Sequence, residues 1–250
     1  MSRPPLRIVR ESVEPAAFST AISRAILVRV AAGELGPTVR LHRPPTSLAF
    51  SRQDRASRGY AAAARTARAA GFEPVLRLAG GRAAVFHEGT LACAWAVPDR
   101  HPMARTTRRF REFAELLATA LRGLGADARI GEIPGEYCPG AWSVNARGRT
   151  KLVGIGQRLI AGGAHRGAVI VVAGSARVRY ALDPVYEALG LRWDPATAGS
   201  VEDEVGGLGL EPVENAILAA LERSYELRDA DLDPATLALA SRLEPEHRIG

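Results

Sequence analysis

Apolar residues recur along this chain at two spacings. In residues 16–32, Phe18, Ile22, Ala25, Ile26 and Val30 fall three or four apart and Gly33 follows, which predicts a helix stopped by glycine. Residues 105–124 carry the clearest helical stripe: Phe110, Phe113, Leu117, Ala120, Leu121 and Leu124. Residues 59–70, 176–189 and 213–225 read as helices too, the last with Val213, Ile217, Leu221 and Tyr225 spaced by four. The shorter runs read as strands: 38–41, 47–50, 74–78 and the β-branched 168–172. Residues 83–86 and 90–97 look like a strand pair, and 142–146 with 151–160 a hairpin around Arg147-Gly148-Arg149. Strands that are often neighbours in sequence favour antiparallel pairing. The expected fold is therefore α+β, a central mixed, largely antiparallel sheet flanked by helices. Residues 1–250 are expected to form one domain, with about 200–250 a helical C-terminal extension packed on it.

Composition changes this picture in three places. No run of 18 or more apolar residues occurs, and the start, Met1-Ser2-Arg3-Pro4-Pro5-Leu6-Arg7, lacks the apolar stretch of a signal peptide, so a cytoplasmic protein without a membrane anchor is expected. The net charge of +6 suits an acidic partner. The arginines are dispersed, with the densest group, Arg105, Arg108, Arg109 and Arg111, opening one helix, so no nucleic-acid partner is expected. Of 33 basic residues one alone, Lys151, is lysine. Arginine replaces lysine freely on a solvated surface. A survivor marks a place that needs a compact charge or an amine of adjustable pKa.

Three segments carry candidate chemistry. Arg77-Leu78-Ala79-Gly80-Gly81-Arg82 joins two strands through a glycine pair, whose backbone N–H groups can approach a carbonyl or a phosphate without Cβ obstruction. Arg77 and Arg82 add charge, and His87 follows. In Gly135-Glu136-Tyr137-Cys138-Pro139-Gly140 a cysteine sits on a turn, where backbone amides can lower a thiol pKa. Cys93, among Leu91, Ala92, Ala94 and Trp95, reads as core. Lys151 is followed by Gly154, Gly156 and Gln157, small positions that let a ligand lie against the backbone. No Cys/His spacing suits a metal.

Together these segments resemble the lipoate–protein ligase and octanoyltransferase group, whose catalytic domain is related to that of biotin–protein ligase. The Arg-x-x-Gly-Gly stretch at Arg77, Gly80 and Gly81 and the strand lysine Lys151 with Gly154 carry the likeness, over about residues 15–190. Tyr137-Cys138-Pro139-Gly140 is similar to the cysteine-dependent branch, which moves octanoyl from the glycine-cleavage H protein to lipoyl domains. The resemblance implies a biotin/lipoate protein ligase-like fold and an acyltransferase of lipoate metabolism. It implies Cys138 as the thioester-forming nucleophile and Lys151 as the group holding the acyl carbonyl. Arg77, Gly80, Gly81, Arg82, His87, Gly154 and Gln157 are the implied substrate-binding residues. The implied partners are an acyl donor protein and a lipoyl-domain or glycine-cleavage H-type acceptor. Val85, Val153, Ile155 and Trp142 are expected to line an acyl tunnel. Glu88 stands where the family's ligases place Asp after the histidine, a departure at His87. No cofactor is expected for a transferase. The alternatives are an ATP-dependent lipoate–protein ligase using the same pocket, with ATP and Mg, and a non-catalytic protein that binds acyl groups or partners.

Overall fold

The computed structural model describes residues 2–250; Met1, the start of the segment inspected for a signal peptide, lies outside the described residues. In chain order the elements are β1 (Pro5–Val9), α1 (Ala16–Ala31), β2 (Thr38–His42), β3 (Ser47–Phe50), α2 (Arg52–Arg55), α3 (Tyr60–Ala69), β4 (Glu73–Leu76), β5 (Ala84–Phe86), β6 (Thr90–Pro98), α4 (Thr106–Gly123) and β7 (Ala128–Ile130). They continue with β8 (Val144–Ala146), β9 (Thr150–Ile160), β10 (Gly163–Val171), α5 (Ser175–Ala188), α6 (Val201–Val205), α7 (Leu210–Glu222), β11 (Glu226–Asp229) and α8 (Pro234–Leu243).

Eight strands form one mixed sheet in the order β11-β1-β2-β6-β10-β9-β8-β7, and β4-β3-β5 form a second, smaller sheet. The long β6, β10 and β9 pair antiparallel at the centre of the large sheet, and β1 lies parallel to both β2 and β11. On one face α4 buries Phe113, Leu117 and Leu121 against the sheet, with α7 beside it. Each such side chain contributes roughly 1.5–3 kcal/mol when fully buried. On the other face lie α1 and α8, whose contact buries Ile22, Ile26 and Val30. The small sheet packs its own core of Leu48, Phe50 and Val85 against α3 and α5.

The expected mixed sheet with flanking helices is present, but two local readings change. Residues 83–86 and 90–97 do not pair with each other: β5 joins β3 in the small sheet and β6 runs between β2 and β10 in the large one. Both strands alternate in the same way, so their sequences cannot say which sheet each enters. The stretch beyond residue 200 is not helical throughout, because β11 adds a parallel edge strand with Glu226 opposite Pro5. Among the described residues no helix is long and apolar enough to cross a membrane.

Candidate active site

A slot lies between the large sheet and the small one, with α1 along one side. Its floor is built from small residues on the central strands: Ala92 and Ala94 of β6, Gly167 of β10, and Gly154 and Gly156 of β9. Cβ-poor positions in the middle of a sheet weaken it, and here they open space over the backbone. Cys138 and Lys151, 13 residues apart in sequence, line the same slot, as does Arg77.

A bulge sets Lys151. On β8, Val144 and Asn145 are consecutive; on β9 their partners are Val153 and Lys151, so Leu152 is the extra residue. An inserted residue re-aims the side chains before it. Lys151 thereby shares a face with Gly154, and its stem lies against that position, Cε being 3.5 Å, an ordinary contact distance, from where a Cβ would stand. Nζ donates to Glu136 Oε1 at 3.0 Å, to the Tyr137 carbonyl at 3.0 Å and to the Cys138 carbonyl at 2.7 Å. An ammonium has three N–H groups, and all three are engaged. Glu136, fully buried, also accepts from Ser143 Oγ at 2.6 Å and from the Gly140 N–H at 3.1 Å. The turn carrying the cysteine is thus tied to the strand lysine by a buried ion pair.

Cys138 has a φ of 44°, in the left-handed region that costs a non-glycine residue free energy. Two bonds hold it there. Its N–H donates to Tyr186 Oη at 2.8 Å, and that hydroxyl donates to the Ala83 carbonyl at 3.0 Å. The sulfur accepts from the Arg82 N–H at 3.1 Å and lies 3.5 Å from Arg77 Nη2. Gly81, at φ +100°, presses on it: a Cβ there would be 2.8 Å from Sγ and 2.4 Å from Arg77 Nη2. Burial works to raise the thiol pKa. The charges of Arg77 and Lys151 and the Arg82 N–H outweigh burial and leave the pKa below the ordinary thiol value. The arrangement can therefore hold a thiolate, the nucleophilic form, at the mouth of an apolar slot. The other cysteine, Cys93, is buried in the core, and burial pushes its thiol up to about 12.

Not every expected residue comes to this place. Arg77, Gly80, Gly81 and Arg82 form the loop around the sulfur, and Gly154 opens the slot over Lys151. Gln157 does not enter the slot. It follows Gly156 on the strand and so faces α4, where it accepts from Arg109 Nε and donates to the Thr106 carbonyl. His87 is also elsewhere, in the turn between β5 and β6. Its Nδ1 accepts from the Gly89 N–H at 3.0 Å, and burial lowers its pKa. Of the expected tunnel residues, Ile155 lines the slot. Val85 belongs to the small-sheet core, Val153 to the large-sheet core, and Trp142 stacks on Phe110.

Sequence reasoning passed over Glu136, Tyr186, His42 and His165. Glu136 stands two residues before the singled-out cysteine, where a carboxylate within a run of turn residues is the signal for a partner of the lone lysine. Tyr186 has no local signal. His42 and His165 line the slot as buried imidazoles, each with an Nδ1 that lacks a hydrogen-bond partner. Burial lowers both, His165 to about 4 and His42 well below its ordinary value. Among the described residues no cluster of three or more His, Cys, Asp or Glu could hold a metal ion.

A sequence model of the lipoyl protein ligase A/B catalytic domain matches residues 15–221. An octanoyl-[GcvH]:protein N-octanoyltransferase of Geobacillus kaustophilus is 29% identical over 161 residues, 64% of this chain and 56% of the relative. That of Anoxybacillus flavithermus is 35% identical over 109 residues, 44% of this chain and 38% of the relative. The octanoyltransferase LipM of Kyrpidia tusciae is 34% identical over 128 residues, 50% of this chain and 45% of the relative. The matched part of the chain spans about half the length of these curated relatives or less. Among solved structures, lipoate-protein ligase A bound with ATP superposes with a TM-score of 0.78 at 19% identity, over 98% of this chain and 95% of that one. A bi-partite lipoate protein ligase of Thermoplasma acidophilum gives 0.74 at 17% identity, over 98% and 93%. These two likenesses show a shared fold.

Proposed function

The chain belongs to the lipoyl protein ligase A/B catalytic domain family, and from that premise we propose that it is a cytoplasmic acyltransferase of lipoate metabolism working through a thioester on Cys138. The observation that carries this reading is the thiol itself. It is held in a left-handed turn against Arg77, the Arg82 N–H and Lys151, which together lower its pKa at the mouth of a slot floored by small residues. Several relatives are named octanoyl-[GcvH]:protein N-octanoyltransferase, so the donor proposed here is an octanoylated glycine-cleavage H-type protein and the acceptor a lipoyl-type domain.

In the first step the Cys138 thiolate attacks the acyl carbonyl of the donor's acyl-lysine. The S–C bond forms, the C–N bond breaks, and the departing amine takes up one proton. In the second, the neutral ε-amine of the acceptor lysine attacks the thioester. The C–N bond forms, the C–S bond breaks, the thiolate is restored and one proton is released. Neither step consumes a nucleotide or needs a metal. Both pass through an oxyanion. The Arg82 N–H, bound to sulfur in the resting site, is freed once the sulfur becomes a thioester and lies beside the new carbonyl. Lys151 has no free N–H. Its role is positioning: it fixes the Cys138 carbonyl and lends charge to the thiolate. The family resemblance implied Lys151 as the group holding the acyl carbonyl, and the three bonds it already makes argue against that.

An ATP-dependent ligase has no use for an activated thiol, which favours the transferase over that alternative. The test is incubation with an octanoylated donor followed by mass spectrometry of the chain. A hydroxylamine-sensitive octanoyl adduct on Cys138, lost in Cys138→Ser together with transfer, is the expected result. Full transfer by Cys138→Ser would remove the mechanism, and acceptor modification that requires ATP would replace it with the ligase.

A further inference from the structure

The Arg77–Leu78 segment borders two cavities. One is the acyl slot. The other, of about 330 Å³, is lined by Arg24 of α1, Arg52 and Arg55 of α2, Arg158 of β9, and Glu246 and His247. Its charge is one-sided. Glu246 is the carboxylate of this lining, and it is already paired with Arg24 at 2.8 Å. Arg52, Arg55 and Arg158 have no carboxylate partner among the described residues. His247 is buried with Nδ1 2.7 Å from the Leu76 carbonyl, and burial lowers its pKa toward the neutral imidazole, which supplies no counter-charge to the arginines. Arg158 has its pKa lowered by burial and then by the charges of Arg52 and Arg24. Like charges gathered without a counter-ion repel one another, and an entering anion relieves that repulsion.

We propose that this basin is the docking point for carboxylates that flank the target lysine on a small acidic carrier domain. The inference rests on the transferase reading above and names the part of the partner that the enzyme reads. A lysine side chain is short. For its amine to reach a thioester on Cys138, the domain that bears it must close over the mouth of the slot. Arg77 stands at that mouth with Nη2 3.5 Å from Sγ, and the basin is its other neighbour. A carrier seated on the slot therefore lays the surface around its lysine across Arg52 and Arg55, which are exposed. A phosphate group fits less well. Phosphate sites are commonly built from backbone N–H groups, whereas the start of α2 is closed by the reciprocal Ser51–Asp54 capping bonds, and no serine, threonine or glycine lines the cavity. Charge complementarity of this kind acts on encounter rate and on the choice of partner.

The test compares two substrates in Arg52→Glu/Arg55→Glu and in the milder Arg52→Gln/Arg55→Gln. One is an intact lipoyl-type carrier domain with acidic residues beside its lysine. The other is octanoyl-N-acetylcysteamine, a small uncharged thioester that labels Cys138 directly. For the Glu pair, kcat/KM with the carrier is expected to fall at least tenfold, with a smaller fall for the Gln pair. Labelling by the small thioester should change less than twofold, and the salt dependence of the carrier reaction should flatten. A carrier whose flanking acidic residues are changed to arginine should regain activity with the Glu pair. An unchanged ratio between the two substrates, or an equal fall on both, overturns the proposal and leaves the transferase reading standing. So does inhibition of the unsubstituted protein by millimolar pyrophosphate that disappears in the Glu pair without loss of carrier activity, because that marks a phosphate site. Failure of the unsubstituted protein to label at Cys138 overturns the transferase reading first, and this proposal with it.

Discussion

Replacing Lys151 by methionine separates the chemistry of the site from its stability. Nζ and Glu136 Oε1 are 3.0 Å apart, and the two side chains are 1% and 0% exposed. Methionine removes the charge at similar length. Glu136 keeps its bonds from Ser143 Oγ and the Gly140 N–H but loses its counter-charge. Stranding one member of a buried pair costs about 3–5 kcal/mol. In a chain of this length each kcal/mol lowers Tm by about 2–4 °C, so the expected fall is about 6–20 °C. Adding Glu136→Gln removes the stranded charge while keeping an acceptor oxygen, and the double variant should recover most of the lost Tm. The thiol should not recover. In both variants Cys138 loses one of the charges that lower its pKa, together with the donor to its own carbonyl. The midpoint of its alkylation by iodoacetamide should therefore move to higher pH. At a pH below both midpoints, moving the midpoint up by about one pH unit cuts the thiolate population, and with it the alkylation rate, roughly tenfold. Calorimetry and a pH series of alkylation rates read the two effects independently. A double variant as unstable as the single one refutes the account of the pair, and an unmoved alkylation midpoint refutes the account of the thiol.

Gly81→Ala should leave the circular dichroism unchanged and cut transfer by about 10², since displacing the sulfur by the required fraction of an ångström costs that order of rate. Tyr186→Phe removes the hydroxyl between the Cys138 N–H and the Ala83 carbonyl; a loss of about 1–3 kcal/mol is expected in denaturant titration, with slower alkylation of Cys138. His87→Ala should transfer acyl groups within about twofold of the parent while unfolding at lower temperature, because the imidazole serves the β5–β6 turn and not the slot. Acid should destabilise the fold through His42 and His165. Their native pKa values are depressed, so the unfolded chain binds the extra protons. Stability is whole above the unfolded histidine value of about 6.5 and is lost as pH falls toward about 4 for His165. His165→Gln should flatten the slope of stability against pH in that window, and an unaltered slope would exclude this cause.

Helices α1, α3, α4, α5 and α7 and the β8–β9 hairpin were legible because each is a local pattern: the stripe from Phe110 to Leu121 and the strand-like runs either side of Arg147-Gly148-Arg149 declare themselves within a few turns or residues. Pairings across long separations were not. Nothing in Glu226-Leu227-Arg228-Asp229 indicates that it lies beside Pro5, and the three residues of β7 are too few for alternation to identify. The site divides in the same way. Lys151 stood out by composition and Cys138 by its turn, and both line the slot. Gln157 was misplaced because period-two alternation sends it to the face opposite Gly156, a step the glycine pattern alone conceals. The bulge at Leu152, which turns Lys151 toward the slot, depends on the partner strand and cannot be read from β9 by itself.

The solitary lysine has a practical corollary. With every N–H of its ammonium spoken for inside the protein, the native fold offers no side-chain amine to solvent. A thioester waiting on the enzyme therefore meets no competing ε-amine on neighbouring copies, and only a visiting protein can unload it. On the bench, the same burial makes amine-reactive dyes blind to the side chains of the native chain, so labelling of Lys151 becomes a clock for global unfolding.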